Sequence, residues 1–150
     1  MDKNEELRYL FLAVQREGNR ALTDALAPLD LTPAQAEVLQ VLEQYGSLTL
    51  AELGERLVCE NGSPSRLVSS MVEKGLVQKT TSQADRRASK LALSKKAHEL
   101  MPALNEIESQ FNQQLDWLDE ATTDQALRLL WLLAEQTTSG KALLHRKNHT

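Results

Sequence analysis

The sequence predicts a mainly α-helical chain interrupted by one small β-hairpin. Apolar residues recur at helical spacing on both sides of the middle. Leu7, Leu10, Phe11 and Val14 do so near the start, and Leu100, Leu104, Ile107, Phe111 and Leu115 do so later. Between these stripes, the runs from Leu76 to Thr80 and from Lys90 to Leu93 read as strands flanking a charged turn, TSQADRRAS. Aromatic residues make up only 4% of the chain, and Leu and Ala are abundant, which suits helices. The 150 residues suffice for one domain with a sizeable core, and no inner linker is long enough to separate two.

Residues 5 to 27 read as a first long helix, continued by Leu22, Ala25 and Leu26 and ended by Pro28. Gly18 weakens it by about 1 kcal/mol relative to Ala. Thr32-Pro33 opens the second helix, with Thr32 as N-cap, an apolar side of Val38, Leu39, Val41 and Leu42, and Gly46 as its stop. Ser47 to Thr49 has the length of a third strand at the base of the hairpin. Leu50 to Val58 reads as a helix turning Leu50, Leu53 and Leu57 inward. A tight connection through Cys59 leads to GSPSRLVSSMVEKG, Gly62 to Gly75.

In that segment Pro64, Leu67, Val68, Met71 and Val72 share an arc of about 140°. The opposite arc carries Ser63, Ser65, Ser69 and Ser70 around Arg66. Glu60 or Asn61 is the expected N-cap, and Gly75 fits the left-handed residue that ends a helix. After the hairpin, Ser94 caps a helix running to about Leu118, with a bend or break expected near Met101 because Pro102 lies inside it. Thr122 and Gln125 have capping-box spacing for a last helix. That helix is apolar nearly all round, with Leu127, Leu129, Leu130, Trp131, Leu132 and Leu133. A second copy of the chain is the expected cover, with Leu7, Leu10, Phe11, Leu130, Trp131 and Leu133 at a homodimer interface. The tail holding His145 and His149 is expected to fray.

Charge is strongly segregated. From Gly62 to His98 there are 8 basic and 2 acidic residues, net +6, in a chain of net −4, so the remainder carries −10. A short helix, a turn and a helix of small hydroxyls around one Arg, followed by a basic hairpin, is the pattern of a winged helix-turn-helix. Small side chains let the helix approach a groove floor, and an Arg reads guanine through two hydrogen bonds. Double-stranded DNA is the expected partner, and only one face needs to be basic to meet it. Ser63, Ser65, Arg66, Ser69, Ser70, Arg86, Arg87 and Lys90 are the expected DNA-binding residues. Lys79, Lys95 and Lys96 suit phosphate or solvent.

The residues resemble the MarR family of bacterial transcriptional regulators over nearly the whole chain. The matching pieces are LTPAQAEVLQVL, LTLAELGERL, SPSRLVSSMVEKGLV and ADRRASKLALSKKA. The resemblance implies a winged helix-turn-helix part over residues 32–97 and helical dimerisation parts over 5–28 and 98–146. It implies a homodimer on a pseudo-palindromic promoter site, with half-sites about one helical turn (~34 Å) apart. It also implies that Arg87 enters the minor groove while Asp85 orients the wing. Ala97 and Ser94 stand where the family usually has Gly and Thr.

No nucleophile–base pair, P-loop or dinucleotide fingerprint is present, so an enzyme is not expected. No Cys/His cluster suits zinc, and no cofactor is expected. The N-terminus lacks a signal-peptide core, no apolar run reaches a membrane span, and the single cysteine suits the cytoplasm. Cys59 has two readings. It is a buried small hydrophobe, or it is a redox sensor whose thiol pKa is lowered by the nearby helix start. The commoner reading within the resembled family is an apolar or phenolic effector bound between the dimer helices and the winged part, releasing a repressor from DNA. A winged helix docking an acidic protein partner is the competing function.

Overall fold

The computed structural model describes residues 1–60, 62–81 and 89–149. Its described elements are α1 (Lys3–Leu26), α2 (Pro33–Tyr45), β1 (Ser47–Thr49), α3 (Leu50–Gly54), α4 (Pro64–Glu73), β2 (Val77–Thr80), β3 (Lys90–Leu93), α5 (Lys95–Gln113), α6 (Glu120–Ala134) and α7 (Thr138–Lys147). The three strands form one antiparallel sheet in the order β1-β3-β2. Leu48 pairs with Leu91, and Val77 with Leu93, which puts these four buried side chains together on the core face. No helix among the described residues is long and apolar enough to cross a membrane.

Local chemistry explains where each element begins. Asp2 opens α1 by accepting the N–H groups of Asn4 and Glu5. Thr32 and Gln35 close a reciprocal capping box on α2, and Thr49 and Glu52 do the same on α3. Helix α3 is shorter than the expected Leu50–Val58. Its last turn tightens, with the Arg56 and Leu57 N–H groups donating to the Leu53 and Gly54 carbonyls, and the Val58 and Cys59 amides go to the Glu37 carboxylate instead of continuing the helix. Leu53 and Leu57 are buried as expected, whereas Leu50, at the first helical position, is exposed.

Helix α4 starts two residues later than expected. Ser63 is its N-cap, because the Glu60 side chain is spent on the Gly62 amide. Its end follows the expected pattern. Gly75 has φ +73°, and the Leu76 N–H donates to the Met71 carbonyl, so the chain turns directly into β2. Ser94 caps α5 through the Ala97 amide and donates its hydroxyl to the Gly75 carbonyl, joining the start of α5 to the end of α4. Helix α5 is not interrupted at Met101. It runs through Pro102 to Gln113, and then short-range turns from Gln114 to Asp116 end it before Leu118. Asp119, not Thr122, caps α6.

The core gathers on the winged part. Leu26, Val38, Leu39, Val41, Leu42, Leu53, Met71 and Leu104 are almost wholly removed from solvent. By contrast, α1 buries only Leu26, and α6 buries no residue. The C-terminal tail does not fray as expected. It forms α7, docked on α2 by the Tyr45 hydroxyl donating to the His145 carbonyl at 2.9 Å and by the His149 ring stacked 4.0 Å from the Tyr45 ring. Gly140 permits the α6–α7 corner, since a Cβ there would lie 1.9 Å from the Ala134 carbonyl oxygen.

Candidate nucleic-acid interface

Helix α4 is fixed from behind by Val68 and Met71, which are buried in the core. Its opposite face presents Ser65, Arg66 and Ser69 to solvent. Two of the predicted contacts behave differently. Ser63 is half-buried, and its hydroxyl oxygen accepts the Arg66 amide, so it shapes the helix start. Ser70 turns back on its own helix and donates to the Leu67 carbonyl at 2.8 Å. Val72, assigned to the apolar arc, is 40% exposed near the end of the helix.

The hairpin brings its base beside this face. Ser65 and Ser69 share a cleft of about 380 Å³ with Lys79 and Ser89. Lys79 is exposed on the edge strand β2, and Lys90 is exposed on the central strand β3, opposite Thr80. Lys90 also lies close enough to Glu52 to help lower its carboxyl pKa, after the larger effect of the hydrogen bond from the Thr49 backbone. Asp85, Arg86 and Arg87 lie outside the described residues. The geometry therefore brings Ser65, Ser69 and Lys79 to one cleft with Arg66 exposed beside them on α4, which suits phosphates and base edges, whereas Lys90, next to Leu91 in the strand, projects from the other face of the sheet toward Glu52.

Cys59 departs from the expected environment in two respects. As a residue it is exposed, so it is not a buried hydrophobe. Its thiol pKa is not lowered by the helix start but pushed up to about 12, first by burial of the thiol and then by the Glu37 carboxylate. At neutral pH this environment favours the neutral thiol over the reactive thiolate. The expected result is that mild peroxide leaves the DNA affinity of the wild-type chain unchanged, as measured by fluorescence anisotropy. A loss of affinity that Cys59→Ser abolishes would reverse this assignment.

An apolar groove of about 690 Å³ runs between α1, the turn after α3, and α5. Leu12, Leu22, Val58, Cys59 and Phe111 line it. It lies where the long helices meet the winged part. Sequence reasoning missed Glu37, whose carboxylate accepts the amides of Val58 and Cys59. The available signal was a charged residue beside Ala36, Val38 and Leu39, where burial demands partners.

The predicted dimer residues stand apart from this face. Leu7, Leu10, Leu130 and Leu133 are exposed, by 43%, 53%, 46% and 56%. Phe11 and Trp131 are half-buried.

Comparison with known proteins agrees with this geometry. Residues 31–89 match the model of the MarR family. The HTH-type transcriptional regulator SarZ of Staphylococcus epidermidis is 27% identical over 111 residues, spanning 73% of this chain and 75% of SarZ. The organohalide-sensing regulator RdhR-CbdbA1625, solved with 2,4-dichlorophenol bound, superposes with a TM-score of 0.82 at 25% identity, covering 92% of this chain and 83% of that one. A cysteine-to-serine variant of MarR from E. coli, solved in complex with operator DNA, superposes with a TM-score of 0.76 at 25% identity, covering 89% of this chain and 99% of that one. These relatives are transcriptional regulators, not enzymes. With the hydroxyl-rich helix held against a basic hairpin, and the long helices framing both, the chain carries a MarR-type winged helix-turn-helix region matched over residues 31–89 and is similar over most of its length to transcriptional regulators of that kind.

Proposed function

We propose that the chain binds double-stranded promoter DNA as a homodimer and acts in the cytoplasm as a repressor released by a small molecule. The observation carrying this reading is the exposed Ser65-Arg66-Ser69 face of α4, backed by core residues and flanked by Lys79. That face suits the major groove, and the hairpin carrying Arg86 and Arg87 suits the adjacent backbone and minor groove, with Asp85 orienting it. Residues 32–97 serve as the DNA-reading part, and 5–28 with 98–146 as the dimerisation part. The uncovered apolar sides of α1 and α6 support the homodimer. Operator DNA bound to the E. coli relative supports the DNA reading.

The groove lined by Leu12, Leu22 and Phe111 suits an apolar or phenolic effector. The chlorophenol bound by the organohalide-sensing relative is of that chemistry. An occupant there touches Val58 and Cys59, just before α4, and would favour dimers whose reading helices no longer match both half-sites.

Selection of bound sequences from a random DNA pool tests the reading. The expected outcome is an enriched palindrome with half-sites about one helical turn apart (~34 Å). Salt-sensitive binding with no enriched motif would replace sequence-specific regulation with an architectural or protein-docking role.

A further inference from the structure

We infer that Glu37 and Arg146 form a positioning pair through which the C-terminal helix α7 holds the recognition helix α4 in its DNA-reading pose. The inference rests on the DNA-reading role proposed above. Glu37 stands on α2, and its side chain is only 9% exposed. Its Oε1 accepts the Val58 N–H at 2.5 Å and the Cys59 N–H at 3.0 Å. Its Oε2 receives the Arg146 guanidinium at 3.4 Å. One carboxylate therefore joins the turn that leads into α4 to a helix more than a hundred residues away in sequence.

A second tie runs parallel to the first. The Tyr45 ring carries the Arg56 guanidinium 4.7 Å from its centroid and the stacked His149 ring 4.0 Å from it. Arg56 in turn donates to the Glu52 carbonyl of α3 at 2.6 Å. The Gln44 side chain adds a hydrogen bond to the Arg146 carbonyl. Helix α2 is thus the strut between α7 on one side and the helix-turn-helix on the other. The tight corner at Gly140 makes α7 follow α6, whose apolar face is the proposed dimer surface. A shift of the dimer helices then has a direct route to the reading head.

Charge explains why Arg146 matters to a contact it does not itself make. A carboxylate removed from water needs both donors and a counter-charge. The Val58 and Cys59 amides supply donors, and Arg146 supplies the charge. Glu108 of α5 competes for the same cation. Burial raises its carboxyl pKa, Arg146 lowers it, and Glu37 raises it further. Without Arg146, the repulsion between the Glu37 and Glu108 carboxylates is no longer offset by its cation. Glu37 then lacks the counter-charge that holds it out of water, which weakens its hold on the turn.

The test compares wild type, Arg146→Gln, Arg146→Lys, Glu37→Gln and the Glu37→Gln/Arg146→Gln double variant. Anisotropy measures affinity for the selected operator and for random DNA, and hydrogen exchange is followed at the Val58 and Cys59 amides. Arg146→Gln and Glu37→Gln are each expected to weaken operator binding about tenfold, with helix content, dimer mass and random-DNA affinity retained. The double variant is expected to be no worse than the weaker single one, which is the signature of a coupled pair. Arg146→Lys is expected to restore most of the affinity, and both amides are expected to exchange faster in Arg146→Gln. Wild-type operator affinity in Arg146→Gln, additive losses, or unchanged exchange at both amides would each overturn the inference. Wild-type protein that selects no operator would instead refute the DNA reading. The exchange rates would still decide the mechanical link, and they can be read in Glu37→Gln, where both amides are likewise expected to exchange faster, if Arg146→Gln does not fold.

Discussion

Leu130→Glu is expected to convert a dimer into monomer or aggregate in sedimentation velocity. Leu130 is 46% exposed on α6, a helix with no buried residue, and its neighbours Leu127, Leu129, Leu132 and Leu133 are exposed as well. A carboxylate placed in a dry interface loses its hydration with no cation supplied in return. A two-fold dimer repeats every substitution, so the penalty enters twice. At about 3 kcal/mol per copy, the dissociation constant rises roughly 10⁴-fold. Operator affinity should fall with it, because a monomer engages one half-site. The winged part should stay folded, since its core runs from Leu26 to Leu104 and takes nothing from α6. Circular dichroism therefore separates loss of association from loss of fold. A dimer of unchanged mass would remove α6 from the interface.

The two regions of the molecule were unequally legible in sequence, and the reason is how local their determinants are. Helix α2 was readable because Thr32, Pro33 and Gly46 fix its ends within a few residues. The same holds for the left-handed Gly75 and for the Lys90–Leu93 strand. The end of α3 was not readable, because it depends on Glu37, a side chain about twenty residues earlier that captures two amides. The docking of α7 was missed for a similar reason. Its partners Tyr45 and Glu37 are about a hundred residues away, and its own sequence has little apolar periodicity. Within the candidate site, exposure of Ser65, Arg66 and Ser69 followed from helical period alone. Whether a hydroxyl points outward did not, since Ser63 and Ser70 are both engaged by nearby backbone groups. Cys59 shows the same limit for chemistry. The nearby helix start argued for a lowered thiol pKa, but burial and a carboxylate from another helix reverse the sign.

Arg66→Ala and Lys79→Ala are expected to weaken operator binding in different ways, and the contrast separates base reading from phosphate contact. Arg66 projects from the first turns of α4, on the exposed face between Ser65 and Ser69. A guanidinium there can make two parallel bonds to a guanine edge, worth about 1–3 kcal/mol of discrimination per contact. With one copy in each half-site, the loss at the selected operator should reach at least roughly tenfold, concentrated at one symmetric base position. Affinity for random DNA should change little. Arg66→Lys should not restore the preference, because an ammonium lacks the planar fork. Lys79 lies on the exposed edge strand, where a point charge meets phosphate. Its removal should weaken operator and random DNA alike and lower the salt slope by about 1 per copy. If Arg66→Ala lost equal affinity on both DNAs, α4 would be holding the backbone, and sequence preference would have to come from the hairpin or from the shape of the DNA.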